Sequence, residues 1–275
     1  MKITKLTPTI GAEISGLDLS EPLDLATQDT LYQALLDHLV IFIRDQDITP
    51  AVHLALAKGF GELSAPHPIY PHVDGHPNIV SLKNDVDHPP DTDGWHTDMT
   101  FQEEPPFASV LIARRVPPVG GDTLWCSLYA AYDALPEAMK TLLDDKVAVH
   151  DMGDFRNNFA SDGGAAITTA HGRFGSAVHP VIGRHPVTGK RFIFANEGFT
   201  QHIVGLRAQD SNDLLAMLYR HQNQPEFQVR FKWTEGALAM WDNRVTQHYA
   251  TADYLPEPRE MNRITIVKDR RAGSI

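Results

Sequence analysis

The stretch FQVRFKWTEGALAMWD, residues 227–242, holds two short runs of apolar and aromatic residues with a glycine-containing break between them. Runs of this length that are rich in valine, phenylalanine and tryptophan are typical of β-strands. Similar runs occur from about residue 78 onward: NIVSLKN (78–84), ASVLIARRV (108–116), DTLWCSL (122–128), KRFIFAN (190–196) and RITIVKD (263–269). Glycine, proline and aspartate separate them, which is typical of an all-β sandwich or barrel. We therefore predict a mainly β fold.

Helical segments precede these strands. Residues 27–40 carry leucines at helical spacing, and VIFIRDQ, which follows, has the composition of a buried strand. Thr49 and Pro50 are a typical N-cap and first-turn proline, so a second helix should run from here to the glycines at 59 and 61. Both helices are expected to pack on the outside of the strands.

Two more helices are predicted within the β-rich part, around residues 128–145 and 211–223, and Ser211 or Asp210 should cap the second of them. The stretch 151–178 is rich in glycine, alanine and serine and has no clear period. A connection of that length in a compact domain is typical of a lid or of a disordered loop.

The composition narrows the class of protein. The chain has 275 residues, of which 42% are hydrophobic, enough to bury a sizeable core, and without a linker or repeat we predict one domain over 1–275. A net charge of −11 with scattered basic residues argues against a nucleic-acid partner. We find no signal peptide and no run near the ~20 apolar residues of a membrane span, so we predict a cytoplasmic protein with no membrane partner. The single cysteine, Cys126, excludes an intramolecular disulfide and a cysteine-based zinc site, so a metal would need histidine and carboxylate ligands.

Residues 94–101, GWHTDMTF, place a histidine and a carboxylate two residues apart. On an extended strand residues i and i+2 face the same side, so His96 and Asp98 would point to the same place and supply two ligands of a facial metal triad. The alternative, a hydrogen-bonded pair or a surface loop, is the commoner reason for a histidine near an aspartate. A third ligand must come from elsewhere in the chain.

That third ligand is available in WDNRVTQHYATADY, residues 241–254, where His248 follows a hydrophobic strand. The alternative interpretation of His248 is a core or helix-terminal histidine. Two histidines, one carboxylate and a β-rich fold fit non-haem Fe(II) with open coordination positions.

Two arginines lie downstream of His248 with the same strand parity, Arg259 and Arg263. Burying a cation without an anionic partner is costly, so two such arginines suggest two bound anions. The alternative partners are acidic residues nearby in sequence: Asp253, Glu257 and Glu260. Such pairing explains either arginine alone more readily than both.

Taken together, the chain resembles the taurine dioxygenases of the Fe(II)/2-oxoglutarate-dependent oxygenase superfamily. The resemblance covers nearly the whole length, in ordered blocks that are far more specific than an HxD motif. The blocks are IGAEISGLDLSEPL (10–23), FIRDQDITP (42–50), FGEL (60–63), HPIYPH (67–72), WHTDMTF (95–101), GGDTLW (120–125), FANEGFT (194–200), PEFQVRF (225–231) and WDNRVTQHYATADYLP (241–256).

The resemblance implies a double-stranded β-helix (jelly-roll) core with flanking α-helices. It implies that His96, Asp98 and His248 bind Fe(II). It also implies that Arg259 pairs with the distal carboxylate of 2-oxoglutarate and that Thr123 assists it. The family's substrate pocket maps onto His67, Tyr70, Asp91, Phe159, Phe199 and Arg263. Because related proteins associate, a homo-oligomer is a further expectation.

The implied reaction is hydroxylation of the carbon next to the sulfonate of taurine. It consumes 2-oxoglutarate and O2 and forms succinate and CO2, and the hydroxylated product collapses to an aldehyde and sulfite. Arg263 would bind the sulfonate, with His67 as a second donor. The planar guanidinium of Arg259 suits a bidentate contact with a carboxylate.

Three pocket positions differ from the family's taurine-specific pattern. Thr92 stands where asparagine is usual, Asn158 replaces a serine, and Met99 replaces a valine. The changes concern the amine end of the substrate and leave recognition of the anion in place. Because Asp91 keeps a carboxylate that can pair with an ammonium group, taurine is expected ahead of simple alkanesulfonates, and alkyl sulfate esters come third.

Two other classes of protein fit the same ligands. A zinc hydrolase also uses two histidines and a carboxylate with an open position, but it would leave Arg259 and Thr123 without a role. A non-catalytic jelly-roll binding protein would need neither O2 nor a 2-oxo acid. Anaerobic addition of Fe(II) and 2-oxoglutarate separates the three, because only the dioxygenase should give a weak visible metal-to-ligand charge-transfer band.

Overall fold

The computed structural model describes residues 1–67, 70–91, 94–152 and 175–271, and strands predominate among them. The strands of the first half are β1 (Lys2–Lys5), β2 (Ala12–Ser15), β3 (Val40–Ile43), β4 (Gly61–Leu63), β5 (His72–Val73), β6 (His76–Asn84), β7 (Ala108–Arg115) and β8 (Thr123–Ser127). Those of the second half are β9 (Val147–Asp151), β10 (Ser176–Pro180), β11 (Ile182–Arg184), β12 (Arg191–Ile193), β13 (Thr200–Ile203), β14 (Gln228–Phe231), β15 (Leu238–Asp242), β16 (Thr246–Ala250) and β17 (Arg259–Asp269). Each β-rich run of the sequence overlaps one of these strands, so the mainly β prediction is confirmed.

The helices are α1 (Leu25–His38), α2 (Pro50–Lys58), α3 (Leu128–Asp133), α4 (Glu137–Leu143) and α5 (Ala208–Gln222), with a short 3-10 helix at Pro225–Phe227. Thr49 caps α2 as predicted, because its hydroxyl oxygen accepts a hydrogen bond from the amide of Val52 at 3.3 Å. The helix predicted around 128–145 is two helices, since Pro136 lacks an amide hydrogen and interrupts the segment.

The cap predicted for the last helix is wrong. Arg207 is the N-cap of α5, so Asp210 and Ser211 lie inside its first turn. The Ser211 hydroxyl oxygen accepts a hydrogen bond from the amide of Ile203 at 2.8 Å, and the Asp210 carboxylate accepts two from the Arg207 guanidinium, at 2.7 and 2.8 Å. Because both side chains have these other partners, the helix starts earlier than their capping preference predicts.

The largest sheet of the described chain has the strand order β1-β2-β3-β15-β7-β17-β6-β5, and β4 joins it by pairing with β17. Its neighbouring strands are antiparallel except for β2 and β3, which run parallel. A smaller antiparallel sheet has the order β14-β8-β16. Two further groups, β10-β9-β13 and the pair β11-β12, complete the strand arrangement.

The large sheet packs against a different layer on each face. On one face Phe42, Leu111 and Met261 share an apolar cluster with Trp125 and Phe231 of the smaller sheet. The opposite face packs against α1 and α2 through a second cluster, which includes Leu31, Ile41, Ala57, Val110 and Ile264. Two facing sheets with helices outside are the predicted jelly-roll core with flanking helices, and that prediction is confirmed.

Some sequence predictions concern residues that lie outside the described ranges. These include residues 153–174 of the predicted lid or disordered loop, and with them Asn158 and Phe159, as well as Thr92. At the edges of the loop, β9 ends at Asp151 and β10 begins at Ser176. Within the part of the chain that the structure describes, none of the helices has the length and apolar character needed to cross a membrane.

His53 of α2 is fully buried, and we expect it to make the folded protein less stable in acid. Burial, reinforced by the positive charge of Arg114, lowers the pKa of His53 from 6.5 to about 3. Below pH 6.5 the unfolded chain therefore takes up a proton that the folded protein does not. The contribution of this group to stability falls as the pH decreases, by about 1.4 kcal/mol per pH unit, until the folded pKa is reached.

We expect the melting temperature to be lower at pH 5.5 than at pH 7.5. The decrease should be smaller in His53→Leu than in the wild type. Circular dichroism melts at the two pH values measure the difference. The matched control is His202→Leu at an exposed position of β13. Equal pH sensitivity of wild type and His53→Leu would contradict the assignment.

Candidate functional site

Main-chain pairing brings His96 and His248 together from opposite halves of the chain. His248 lies on β16, which β8 holds in the smaller sheet. His96 forms an isolated antiparallel bridge with it, in which the amide of each residue donates to the carbonyl oxygen of the other, at 3.1 and 2.8 Å. The centres of the two imidazole rings are 4.2 Å apart. The backbone therefore places both side chains at one point.

Asp98 joins these histidines by a different route from the one that the sequence predicts. His96 forms only the single bridge and a turn begins at Asp98, so the two residues do not lie on one extended strand. Met99 has a left-handed backbone conformation, with φ of 55°. Asp98 Oδ1 nevertheless lies 3.6 Å from His96 Nε2 and 3.9 Å from His248 Nε2. The turn, and not the strand pleat, gives His96 and Asp98 their common orientation.

The three ligand atoms lie within 4.8 Å of one another, and their chemistry suits a divalent metal. His96 Nδ1 lies 2.8 Å from the carbonyl oxygen of Gly94 and donates to it, which leaves Nε2, 3.6 Å from Asp98 Oδ1, as the ring nitrogen that can bind a metal. Burial, and after it the neighbouring His96, lowers the pKa of His248 to about 3, which keeps this imidazole neutral and able to bind a metal. Two histidines and one carboxylate fit the facial triad of non-haem Fe(II).

Asp98 stays ionised although it is buried. Burial alone would raise its pKa, but the guanidinium of Arg263, whose Nη1 lies 3.3 Å from Asp98 Oδ1, together with His248 and His96 holds the pKa well below its usual range. The hydroxyl of Ser109 donates to the other carboxylate oxygen at 3.4 Å. Arg263 therefore lies directly beside the candidate metal ligands.

Arg259 lies on the same strand and is only 6% exposed. Its Nε donates to the carbonyl oxygen of Gly121 at 3.1 Å, and its Nη2 donates to the hydroxyl of Thr123 at 3.4 Å. Burial lowers its pKa below that of an ordinary arginine. Within the described ranges no carboxylate lies at ion-pair distance from it. A buried guanidinium without an internal counter-ion is chemically suited to bind an external anion.

Of the three acidic residues that the sequence offers as alternative partners of the two arginines, Glu260 and Asp253 have other contacts, and among the described residues Glu257 forms no ion pair with either arginine. Glu260 lies 3.2 Å from the ammonium group of Lys83. Asp253 accepts a hydrogen bond from the amide of Gly121 at 2.9 Å and lies 3.8 Å from Arg230. These alternatives are therefore not the arrangement found.

Thr123 has a hydroxyl suited to help Arg259 bind an anion. Its oxygen accepts hydrogen bonds from Arg259 and, at 2.9 Å, from the indole of Trp233, so its own proton is left for an outside acceptor. One cavity connects Thr123 and Arg259 with His248. Its lining also includes Leu82, Leu111, Trp125, Trp241, Ala250 and Arg263. A carboxylate ligand that enters this cavity meets both a guanidinium and a triad histidine.

The predicted substrate residues His67, Tyr70 and Asp91 lie close to one another. The Tyr70 amide donates to His67 Nδ1 at 3.0 Å, and the Tyr70 hydroxyl donates to the Asp91 carboxylate at 3.3 Å. Burial, and after it the charge of Arg263, lowers the pKa of His67 to about 4. His67 is therefore neutral, and because Nδ1 accepts, its Nε2 carries the proton and is a donor.

Phe199 lies against the metal-ligand cluster. Its ring meets the edge of His96 at a centroid distance of 6.3 Å and that of Phe101 at 5.2 Å. The remaining predicted pocket residues, Thr92, Asn158 and Phe159, lie outside the described ranges, and their roles stay predictions.

The sequence analysis did not identify the residues that contact the ligands Asp98 and His248 and hold them in place. Ser109 contacts the Asp98 carboxylate, and the side chain of Asn243 contacts the Asp98 main chain. Trp125 and Trp241 pack near His248, with ring centroids at 6.4 and 5.0 Å. The available signal was the position of Trp125 in the block GGDTLW and of Trp241 and Asn243 in the block WDNRVTQHYATADYLP, which does not say what their side chains contact.

Comparison with known proteins gives consistent matches. The family model "Taurine catabolism dioxygenase TauD, TfdA family" matches residues 2–265. An alpha-ketoglutarate-dependent sulfate ester dioxygenase of Pseudomonas putida is 39% identical over 96% of this chain and 88% of the relative. An alkylsulfatase of Acinetobacter baylyi is 36% identical over 100% of this chain and 87% of the relative.

Solved structures agree with these relatives. A taurine dioxygenase from Burkholderia xenovorans superposes with a TM-score of 0.83 at 36% identity, covering 98% of this chain and 89% of that one. The structure of AAD-2 in complex with Mn(II) and N-oxalylglycine superposes with a TM-score of 0.82 at 28% identity, over 98% of both chains. The family model spans residues 2–265, which include His96, Asp98 and His248, and each superposition covers 98% of this chain.

Proposed function

This chain belongs to the taurine catabolism dioxygenase family TauD, TfdA, and we propose that it acts as a single dioxygenase domain whose substrate is taurine. As a 2-oxoglutarate-dependent dioxygenase it uses Fe(II), 2-oxoglutarate and O2. The proposed reaction hydroxylates the carbon next to the sulfonate and releases an aldehyde and sulfite, with succinate and CO2 as coproducts. Family membership argues against a zinc hydrolase and against a non-catalytic binding protein.

In this proposal His96, Asp98 and His248 hold the metal. Two imidazoles and one carboxylate are the donor set that Fe(II) prefers in this arrangement. When bound, Fe(II) supplies the oxygen chemistry by which 2-oxoglutarate loses CO2 and one oxygen atom is delivered to the substrate. The aromatic side chains of Trp125, Trp241 and Phe199 border the cluster and limit the access of water.

Arg259 and Thr123 are the proposed partners of the cosubstrate. The guanidinium would bind the distal carboxylate of 2-oxoglutarate bidentately, and the free hydroxyl proton of Thr123 would add a third hydrogen bond. Binding energy at this end of the molecule orients the 2-oxo acid end toward the metal ligands.

The observation that carries the substrate proposal is a second, separate guanidinium beside the triad. Arg263 Nη1 contacts Asp98, and its Nε is buried and has no hydrogen-bond partner among the described residues. A sulfonate oxygen can accept from this Nε, and the Nε2 donor of His67 offers a further hydrogen bond to the same anion. In addition to the hydrogen bond that it accepts from Tyr70, the Asp91 carboxylate would pair with the ammonium group of taurine.

An alkyl sulfate ester is the second candidate substrate. Two observations favour it: relatives from Pseudomonas putida and Acinetobacter baylyi named for sulfate esters or alkyl sulfates match nearly the whole chain, and the Tyr70 hydroxyl already donates to the Asp91 carboxylate. The second observation means that Asp91 does not depend on an ammonium group for a hydrogen-bond donor. A sulfate ester presents the same three terminal oxygens to Arg263 as a sulfonate does.

A panel of taurine, butanesulfonate, a short alkyl sulfate and an alkyl carboxylate separates these candidates. Release of sulfite or sulfate is measured together with succinate formation. Taurine is expected to be the preferred substrate, and preference for the alkyl sulfate would support the second candidate. Preference for butanesulfonate over taurine would keep the role of Arg263 and show that Thr92 and Asn158 have changed recognition of the amine end. Preference for the carboxylate would refute selection of a sulfur oxyanion.

Arg263→Ala should lower kcat/KM for the preferred substrate by at least about tenfold, the scale of losing one charge-assisted hydrogen bond. The affinity for 2-oxoglutarate should change much less, because Arg259 binds that anion separately. Arg114→Ala is the matched control, since Arg114 is also partly buried and donates to a main-chain carbonyl away from the site. Unchanged substrate selectivity in Arg263→Ala would exclude Arg263 as the substrate-anion residue.

A further inference from the structure

We propose that Asn243 is a positioning residue that sets the direction of the Asp98 carboxylate, an inference that rests on the proposed role of Asp98 as a metal ligand. The amide oxygen of Asn243 accepts a hydrogen bond from the Asp98 amide at 2.9 Å. Its Nδ2 donates to the carbonyl oxygen of Asp98 at 3.0 Å and to that of Pro106 at 3.1 Å. One fully buried side chain therefore fixes the peptide groups on both sides of Asp98 and ties them to the residues just before β7.

The turn that carries Asp98 needs such a clamp. Met99 has φ of 55°, in the left-handed region that non-glycine residues adopt at a cost. Without an outside constraint this residue favours another backbone conformation, and a change there rotates the peptide that precedes it. The Asp98 carboxylate would then move away from the two Nε2 atoms. The clamp holds the peptide in the orientation that the cluster requires.

Asn243 is itself held firmly. Its own amide donates to the carbonyl oxygen of Phe107 at 2.8 Å. The neighbouring Asp242 and Arg244 form a buried ion pair at 2.6 Å, and Arg244 also pairs with Asp269 at 2.9 Å. These contacts anchor the backbone on both sides of Asn243 to the core. The Asn243 amide is therefore held in place by contacts that do not involve the candidate metal ligands.

The turn is also held at its start by the same segment of chain. The hydroxyl of Thr97 donates to the carbonyl oxygen of Thr246 at 2.8 Å, and His96 pairs with His248 through the main chain. Three consecutive residues, 96–98, thus bind residues 243–248. Asn243 is the member of this set that acts on Asp98.

An asparagine with only a structural role would stabilise the fold, and its loss would leave metal binding unchanged. Gln46 is a buried amide side chain of that kind and serves as the control. Gln46 is also buried, at 7% exposure. Its Oε1 accepts from the Leu19 amide at 2.8 Å, and its Nε2 donates to the carbonyl oxygens of Leu17 and Arg44 at 3.2 and 2.8 Å. It makes the same three kinds of main-chain hydrogen bond as Asn243, but none of them reaches the cluster.

The test compares Asn243→Ala and Gln46→Ala with the wild type in full-length protein freed of metal by a chelator. Mn(II) is titrated as the probe ion, free ion is followed by electron paramagnetic resonance, and melting temperatures are recorded. Asn243→Ala should weaken Mn(II) binding about 10- to 100-fold, the scale found when an outer-shell partner of a metal ligand is lost. Gln46→Ala should lower the melting temperature and leave Mn(II) affinity at the wild-type level. Folded Asn243→Ala with wild-type affinity would overturn the proposal.

Amide hydrogen exchange of the metal-free wild type gives a measurement that does not depend on any variant. The Asp98 amide, held by the Asn243 side chain, should exchange at least about a hundredfold more slowly than an unprotected amide. Exchange at the unprotected rate would show that the Asn243 side chain does not hold the Asp98 peptide, even if Asn243→Ala does not fold. Failure of the proposed function would look different. Wild-type protein that binds no Mn(II) would refute the triad, while slow exchange of the Asp98 amide would still show that the Asn243 side chain holds it.

Discussion

Replacement of His248 by alanine is expected to reduce 2-oxoglutarate decarboxylation and substrate oxidation by more than about a thousandfold, because the metal loses one of three protein ligands. The main-chain bridge to His96 uses only the amide and carbonyl of residue 248, so the fold should persist. Activity is measured as succinate formation. Metal loading is followed by the visible band that anaerobic Fe(II) and 2-oxoglutarate should give in the wild type.

The matched control for this change is His202→Ala, which removes an exposed histidine from β13. It should keep both the band and the activity. His248→Ala with bound iron and full decarboxylation would show that the assigned triad is wrong. A wild-type protein that gives no band would instead return attention to a zinc hydrolase or a binding protein.

Substitution of Arg259 by glutamine should raise the 2-oxoglutarate requirement by roughly two orders of magnitude, the scale of losing a charge-assisted pair in a buried site. The effect should be concentrated in the KM for 2-oxoglutarate, because Arg259 lies away from the reacting atoms. Titration of the charge-transfer band gives the dissociation constant directly, and steady-state kinetics give the KM.

Arg114→Gln serves as the control for this prediction, since it makes the same change to a partly buried arginine on β7 outside the cavity. Its 2-oxoglutarate affinity should match that of the wild type. If Arg259→Gln also retains wild-type affinity in both measurements, the cosubstrate carboxylate binds elsewhere.

The sequence predicted the fold class, the strands and the group of ligands because each has a local or ordered signal. Strand runs have a characteristic composition, and His96, Asp98 and His248 stand in blocks that match a family along the whole chain. Arg259 and Arg263 share strand parity, and both line the cavity that contains His248. These predictions needed only short-range pattern and block order.

Other features depend on tertiary contacts and could not be predicted in this way. The common orientation of His96 and Asp98 comes from a turn held by Asn243, a contact across 145 residues of sequence. The helix α5 starts earlier than predicted because the Ser211 hydroxyl accepts a hydrogen bond from the amide of Ile203 on β13. The pairing of Arg263 with Asp98, and not with a nearby acidic residue, likewise results from the fold.

The bridge between His96 and His248 also bears on the order in which the chain folds and the metal binds. Thr97 and Thr246, beside the bridge, are 149 residues apart, so this part of the structure forms by closure of a long loop, a slow kind of folding step. The hydrogen bonds that join residues 96–98 to residues 243–248 use main-chain atoms and the side chains of Thr97 and Asn243, and none uses a donor atom of the three candidate ligands. We therefore expect the ligands to be brought together by chain folding and the ion to bind reversibly afterwards. A chelator should accordingly strip activity from the enzyme without unfolding it, and fresh Fe(II) should restore that activity without a refolding lag.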